Sequence, residues 1–252
     1  MANRWLQLVL GFTISIVTAT AFADAFGVPN PATGKLTWSG FSDGYVGATI
    51  AGGIVSGVEA GQFQGYFDTD GGSYEADDYF RFFCIDITHY ASTGPNTYTR
   101  DILGGTVPVT PTQELLLERL FDTYYPNKTT GTYFSGGLPT DFGQFGNAND
   151  SAAFQLAIWE IWFGPGAVVS SPAKTIADGW LTAINLQTGT PAGWTLFTFS
   201  SGTSPETHYY QNYLSVEYTQ PQKELPEPGS LALLCVAALA VGAAAMLRRQ
   251  TA

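Results

Sequence analysis

The chain of 252 residues carries an apolar stretch near each end, which restricts the part that can fold as a water-soluble domain. Near the C-terminus, the 19 residues from Gly229 to Leu247 include no charged side chain. As a helix, such a stretch spans about 28 Å, close to the thickness of the hydrocarbon core of a bilayer. Arg248 and Arg249 follow it, and basic residues favour the cytoplasmic side. We therefore expect a C-terminal transmembrane helix with everything upstream of it outside.

The N-terminus has the three parts of a secretory signal peptide. Arg4 precedes an apolar run from Leu6 to Thr20, and the small residues of Ala21-Phe22-Ala23 follow. The run is short for a membrane span, which favours a signal peptide over an uncleaved anchor helix. We predict a signal peptide over residues 1–23, removed by signal peptidase.

The C-terminal tail has a second feature, because Pro226, Glu227 and Pro228 stand directly before the apolar stretch. Pro-Glu-Pro, an Ala-rich apolar span and a basic pair together resemble the PEP-CTERM sorting signal of Gram-negative bacteria. The resemblance implies that an exosortase recognises the tail, residues 221–252, and cuts near Pro-Glu-Pro. It also implies an inner-membrane intermediate, held by the C-terminal helix, and then release to the cell surface or an exopolysaccharide matrix. The alternative is a plain single-pass anchor.

Residues 24–220 remain as the predicted exported domain. Residues 24–222 hold six basic residues against 19 acidic ones, with no basic patch. Nucleic acid is a polyanion, so we expect no nucleic-acid partner. The chain is 45% hydrophobic and only 12% charged, which argues against extended disorder.

The order of the segment patterns predicts an α+β fold, with a mainly antiparallel sheet and two or three helices inserted in the middle. Aromatic and β-branched segments between glycine-bearing turns indicate strands before and after the helices. The clearest predicted strands are Tyr79–Ile87, Thr195–Phe199 and Tyr209–Tyr218. The predicted helices begin at Thr110-Pro111, at about Asp150 with Asn149 or Asp150 as cap, and at Pro172.

The two cysteines do not form a disulfide within the exported domain. Cys235 lies in the apolar tail, so Cys84 is the only cysteine of residues 24–220. Lipidation requires a cysteine directly after the signal peptide, and Cys84 is about 60 residues beyond that point. A small buried thiol is the ordinary expectation, because free cysteine is among the most buried residue types. An intermolecular disulfide through Cys84 is a further alternative.

The second predicted helix carries a glutamine on a face that should point at the sheet. Gln155 shares this face with Ile158, Trp159 and Trp162, which follow at helical spacing. A glutamine on an otherwise apolar face must find a hydrogen-bond partner or cost about 1–3 kcal/mol. A hydrogen bond to the backbone and a covalent bond to Cys84 are the two ways to meet that need.

Two segments resemble the Cys-Gln thioester domain of bacterial surface adhesins. In that family an aromatic-Cys-aliphatic strand pairs with a Gln-x-Ala-Ile-Trp helix, and Phe83-Cys84-Ile85 and Gln155-Leu156-Ala157-Ile158-Trp159 match these motifs. Phe154 stands where many members have threonine. The resemblance implies an internal thioester between Cys84 and Gln155, formed with loss of ammonia. The protein would then be no enzyme in the turnover sense, but would acylate an amine on a surface protein or an exopolysaccharide.

We expect a water-excluding pocket around this pair and one nearby helper. His89 is the candidate acid/base helper, and the alternative for it is an exposed loop residue. Pocket residues would slow hydrolysis of the thioester by keeping water away. The predicted pocket residues are Phe83, Ile85, Phe154, Ile158 and Trp159.

An acidic segment from Asp68 to Asp78 is the only metal-site candidate in the sequence. Oxygen-rich loops with glycine at the turn bind Ca²⁺, but the spacing here departs from that of an EF-hand. A solvated acidic loop is the alternative, and we predict no other cofactor. The candidate calcium ligands are Asp68, Asp70, Glu75, Asp77 and Asp78.

The sequence leaves two functions open. One is a covalent adhesin that uses the Cys84–Gln155 thioester. The other is a non-covalent structural or glycan-binding matrix protein with the same tail, in which Cys84 is an inert buried thiol.

Overall fold

The computed structural model describes residues 31–51, 57–69, 79–126, 143–189, 191, 194–201 and 210–218. The predicted signal peptide and sorting tail, including Pro226, Glu227, Pro228, Arg248 and Arg249, lie outside the described residues. In chain order the elements are β1 (Ala32–Phe41), β2 (Val46–Ile50), β3 (Val58–Ala60), β4 (Phe63–Asp68), β5 (Tyr79–Cys84), β6 (Asn96–Ile102), α1 (Pro111–Tyr124), α2 (Ala148–Phe163), β7 (Val168–Ser170), α3 (Lys174–Asn185), β8 (Trp194–Ser200) and β9 (Tyr213–Tyr218).

Six strands close into an antiparallel barrel. The strand order is β1-β4-β5-β9-β8-β6, and β6 pairs back with β1. The strands β3, β2 and β7 form a separate antiparallel sheet in that order. The predicted antiparallel sheet with helices between its strands is thus confirmed, and there are three helices among the described residues. Closure of the sheet into a barrel was not predicted, because closure depends on which strands become neighbours and alternation within one strand does not specify this.

Aromatic rings fill the interior of the barrel. Phe82 stacks on Phe80 and Phe63, with ring centroids 4.8 and 5.6 Å apart, and meets Tyr213 edge-on at 4.8 Å. Because side chains alternate along a strand, Phe80 and Phe82 face the interior while Phe83 faces the opposite side. Phe83 is also buried, since it packs against rings of the helical layer. Strand β5 is therefore covered on both faces.

Local hydrogen bonds set the starts of the first two helices. Thr110 caps α1, accepting from the Gln113 N–H, and the Gln113 side chain accepts from the Thr110 N–H in return. Pro111 occupies the first helical position, as the sequence predicts. Asn147, rather than Asn149 or Asp150, caps α2, because its Oδ1 accepts the Asp150 N–H at 2.9 Å. The predicted cap was two to three residues too late, since several polar residues in a row compete for that position.

Helix α2 is buried on every side through most of its length. All residues from Ser151 to Ile161 are buried, because α1 and α3 and strands of both sheets surround the helix. The expectation of one apolar face was therefore too narrow. A helix that is apolar all round lies in the centre of a fold, and this one does. Its position brings its N-terminal half next to the end of β5.

The strand predicted over Tyr79–Ile87 ends at Cys84, and a turn follows. Within the described ranges, no helix is both long and apolar enough to cross a membrane. The predicted transmembrane stretch, Gly229 to Leu247, falls outside those ranges and stays a prediction.

Candidate functional site

Gln155 binds the backbone of Cys84 at the point where the neighbouring strand stops. Strand β4 begins at Phe63, which pairs with Phe82, so Cys84 lies two residues beyond the end of that ladder. The Cys84 N–H donates to Gln155 Oε1 at 2.9 Å, and Gln155 Nε2 donates to the Cys84 carbonyl at 2.7 Å. The Gln155 amide thus makes the two hydrogen bonds to Cys84 that a residue of β4 would make if that strand extended this far.

The two predicted thioester residues are therefore together, although 71 positions separate them in the sequence. Both are buried, with Cys84 1% and Gln155 0% exposed. The buried amide has its oxygen and one N–H satisfied by backbone, so its burial carries no unmet hydrogen bond at those atoms. A hydrogen bond from Gln155 to the backbone was one of the two alternatives that the sequence left open. Because the backbone group belongs to Cys84 itself, the hydrogen bonds also bring the two predicted thioester residues together.

The two hydrogen bonds bring the amide carbon of Gln155 close to Cys84. Both hydrogen bonds end on one residue, so the carbon between Oε1 and Nε2 of Gln155 lies in front of Cys84, and Sγ is two bonds from its Cα. The Cys84 N–H already points at the oxygen that would become negative in a tetrahedral intermediate. Holding reactants in this way replaces a bimolecular encounter with an intramolecular one.

The unreacted thiol is held in its neutral form. Burial raises the pKa of the Cys84 thiol to about 12, and the nearby Asp86 carboxylate also raises it. The hydrogen bond to the Asp86 backbone and the proximity of the Trp159 side chain act in the opposite direction. The thiol donates to the Asp86 carbonyl at 3.1 Å, and the Asp86 N–H lies 3.4 Å from Sγ. Because the thiolate is the nucleophile, Cys84 attacks slowly at neutral pH unless its proton is removed in the same step.

This raised pKa predicts a pH-dependent stability for any molecules that keep a free thiol. An unfolded cysteine ionises near its ordinary value of 9.0, whereas folded Cys84 stays protonated up to about 12. The folded state therefore holds one more proton between these values, and stability falls as pH rises through this window. The expected loss is roughly 1 kcal/mol for each pH unit above 9. A thioester has no thiol proton to lose, so its stability does not fall with pH in this way.

Urea unfolding of wild type and Cys84→Ala at about pH 8 and pH 10 measures this difference. If Cys84 is free, the wild type loses more stability than the variant over this range. Equal losses in the two proteins indicate that the thiol is not free to titrate.

The predicted pocket residues all lie buried beside the pair. Ile85, Ile158 and Trp159 are at most 2% exposed, and Phe83 and Phe154 are completely covered. The rings of Phe83 and Phe154 are 4.9 Å apart. They belong to a larger aromatic cluster on the helical side of β5, which we call the aromatic cluster and which also contains Phe121, Tyr125 and Phe145. Such a lining excludes water from the amide carbon.

An aspartate-histidine pair occupies the turn that follows Cys84. His89 Nδ1 is 2.6 Å from Asp86 Oδ2, and its side chain is 37% exposed. Asp86 Oδ1 accepts from the Thr88 N–H at 2.8 Å and from its hydroxyl at 2.6 Å. The turn therefore orients Asp86, and Asp86 orients His89. The sequence singled out His89 but gave Asp86 no role, although a carboxylate three residues before a histidine is a readable signal.

Two tyrosines line the barrel side of the site and were not foreseen. Tyr213 lies directly opposite Cys84 across the β5–β9 ladder, and its ring centroid is 5.7 Å from that of Tyr98. The Tyr98 hydroxyl donates to the Gln211 carbonyl at 3.1 Å. Burial raises the pKa of both hydroxyls, and the proximity of Cys84 adds to this. Their proximity to Cys84 depends on strand pairing, so no local pattern could have identified them.

Glu160 of α2 has a structural role. Its carboxylate accepts the N–H groups of Gly166 at 2.6 Å and Val168 at 2.9 Å, fixing the turn between α2 and β7. This side chain thus holds the C-terminal end of α2 in place.

The candidate calcium site is outside the described part of the chain except for one residue. Asp68 is buried at the end of β4, while Asp70, Glu75, Asp77 and Asp78 lie outside the described ranges. Among the residues that are described, no group of three or more His, Cys, Asp or Glu side chains is placed to hold a metal ion. Calcium binding therefore stays a prediction.

No protein-family model and no curated protein sequence matches this chain. Among solved structures, it is similar to a cysteine-to-alanine mutant of the N-terminal thioester domain of a surface protein from Clostridium perfringens. The TM-score is 0.37 with 17% sequence identity, over 69% of this chain and 99% of that chain. The structural similarity is weak, and a score of this size assigns no function.

Proposed function

We propose that this chain is an exported surface protein whose barrel domain forms an internal thioester between Cys84 and Gln155 and uses it to acylate an amine on a partner. One observation carries the proposal: the Gln155 carboxamide is held by both backbone hydrogen-bonding groups of Cys84 in a buried, aromatic-lined site. This juxtaposition supports the proposal, because it places the side-chain amide directly beside the residue that carries the thiol.

Thioester formation is a condensation that releases ammonia. The thiol rotates away from the Asp86 carbonyl, Sγ bonds to the amide carbon of Gln155, and the carbon–nitrogen bond breaks. The nitrogen leaves as ammonia and takes with it the proton that the thiol gives up. The Cys84 N–H stabilises the negative oxygen of the intermediate, as an oxyanion donor does in acyl-transfer enzymes.

Amine acylation consumes the stored bond once. An amine nitrogen adds to the same carbon, the carbon–sulfur bond breaks, and sulfur leaves with the electron pair. The product is an amide through Gln155 and a free Cys84 thiol, which receives the proton lost by the amine. His89, oriented by Asp86, is the group that we propose carries this proton, because its imidazole is the nearest part-exposed base on the turn after Cys84.

Export and location rest on the sequence signals at the two ends. Processing by signal peptidase and by an exosortase, through an inner-membrane intermediate, would deliver the domain to the cell surface or to an extracellular matrix. There the acylation partner would be an amine-bearing surface protein or an amine-bearing exopolysaccharide. The strongly acidic exported domain would attract basic, lysine-rich surfaces.

The expected result for intact mass is that the full chain is lighter than its sequence by one ammonia. The Cys84→Ala and Gln155→Ala variants, purified in the same way, should show full masses, and they correct for processing at the chain ends. Methylamine should add its whole mass to the wild type, because nothing leaves when the thioester ring opens, and should release one alkylatable thiol. The variants should not react.

A non-covalent matrix protein is the second candidate, and it has its own supporting observation. The same two hydrogen bonds satisfy the Gln155 amide without chemistry, and the high pKa keeps the thiol unreactive. An unmodified wild-type mass, with Cys84 alkylated only after unfolding, would establish this inert site and exclude the thioester.

A further inference from the structure

Trp159 carries a buried polar group close to the candidate site. It lies one turn after Gln155 on α2, and 2% of its surface is exposed. Its indole N–H is buried and has no hydrogen-bond partner within the described structure. Nearly all buried donors in proteins have a partner, so an exception at a candidate reaction site calls for a physical reason.

Gln155 holds the Cys84 backbone against the face of α2 that also carries Trp159. Residues four apart on a helix share a face, so Trp159 and Gln155 project to the same side of α2. The Trp159 side chain is close enough to Cys84 to lower the pKa of the thiol against the larger effect of burial. A neutral thiol is a weak acceptor, which explains why the resting structure has no full hydrogen bond there. A negatively charged sulfur is a strong acceptor and would complete it.

The two ends of the tetrahedral intermediate would then each have a donor. On the oxygen side, the Cys84 N–H already bonds Gln155 Oε1 at 2.9 Å. On the sulfur side, the Asp86 N–H lies 3.4 Å from Sγ, and the Trp159 N–H is an unpartnered donor on the same helix face as the acyl group. A donor that is unsatisfied in the ground state and satisfied when charge develops lowers the barrier, because it binds the transition state more strongly.

We propose that the indole N–H of Trp159 donates to the Cys84 sulfur as negative charge develops there, both when the thioester forms and when an amine opens it. This inference rests on the proposed function. In the opening step the carbon–sulfur bond breaks, sulfur keeps the electron pair, and the Trp159 N–H stabilises it until it takes up the proton released by the amine. No other reactant is needed.

The test is the rate at which methylamine opens the thioester in full-chain variants at position 159. Replacing Trp159 with benzothienylalanine keeps the ring shape but puts sulfur in place of the N–H, and Trp159→Phe removes the N–H together with part of the ring. We expect both to lower the rate about tenfold or more, which corresponds to about 1.4 kcal/mol. Trp162→Phe, one turn further and only partly buried, is the control and should react like the wild type.

The benzothienyl variant separates the effect of the hydrogen bond from that of packing. The mass of the wild type tests the thioester independently of the role of Trp159. Thermal unfolding checks that the benzothienyl variant is folded like the wild type, so a lower rate in it can come only from the lost donor. A benzothienyl variant that reacts at the wild-type rate would overturn the role of Trp159 and leave the thioester standing. A wild type that has lost no ammonia would overturn both.

Discussion

Gln155→Glu is expected to destabilise the fold by roughly 3–5 kcal/mol at neutral pH, because it buries an unpaired carboxylate. One carboxylate oxygen could still accept from the Cys84 N–H, but the other would face the Cys84 carbonyl, where the wild-type amide donates at 2.7 Å. Two acceptors repel, and the buried site offers no cation to pair with among its described contacts. Urea unfolding in a Cys84→Ala background, where no thioester can form, measures this cost alone.

The same variant should recover at low pH. Burial and the facing carbonyl raise the pKa of the introduced carboxyl above its unfolded value of about 4.3. A protonated acid can donate to the Cys84 carbonyl, so the penalty is absent below the unfolded pKa and grows as pH rises toward the folded one. Gln144→Glu, at an exposed glutamine, is the matched control and should change stability by less than about 0.5 kcal/mol at either pH.

The result also bears on the lifetime of the proposed thioester. Hydrolysis of that bond leaves a glutamate at position 155, which is the side chain that Gln155→Glu introduces. A large loss of stability in this variant would mean that the folded domain disfavours the hydrolysed product, in addition to keeping water away from the thioester. A variant as stable as its background at pH 7 would contradict the hydrogen-bond arrangement described for Gln155.

Phe154→Ala is expected to cost about 3–5 kcal/mol, the range for removing a fully buried phenylalanine. Phe154 stands at the centre of the aromatic cluster. Its ring lies 4.9 Å from those of Phe83 and Phe121 and 5.2 Å from that of Phe145. Removing it leaves a cavity between α1, α2 and β5 that rigid neighbouring rings cannot fill. The measurement is urea unfolding in the Cys84→Ala background.

Phe163→Ala on the same helix is the control for this prediction. Phe163 is the last residue of α2 and is 41% exposed, so its removal should cost well under half as much. Similar losses at the two positions would contradict the central role of the aromatic cluster, because alanine is a better helix former than phenylalanine and helix propensity cannot account for either loss. In the wild-type background, we expect Phe154→Ala also to shorten the lifetime of the thioester, because water would reach the site through the cavity.

Local patterns predicted the three helices and several of the strands. The capping box at Thr110 and the strand β8 depend on residues close together in sequence, so the sequence is enough to place them. Strand β6, from Asn96 to Ile102, was missed, because its polar and charged residues hide the alternation that the barrel imposes on it. Arg100 of β6 is buried, and its guanidinium carbon Cζ lies 3.9 Å from the ring centroid of Phe197. This contact joins two strands, so no local sequence pattern predicts it.

The candidate site divides in the same way. Residue types and helical spacing singled out Cys84 and Gln155 and predicted that the glutamine would be buried, since a polar residue within a strongly apolar helix has few other places to go. The roles of Asp86 and Tyr213 became visible only with strand pairing and turn geometry, which join residues that are distant in sequence or differently oriented.

The sequence by itself determined the chemistry available to this protein: one cysteine in the predicted exported domain, one glutamine on a buried helix, and apolar stretches at both ends. These are properties of composition and short-range periodicity. The tertiary structure alone decided that β4 stops two residues short of Cys84 and that α2 passes where the missing strand would lie. The backbone of Cys84 then needed a hydrogen-bonding partner from elsewhere in the chain, and the Gln155 amide, which needed the same, supplied it.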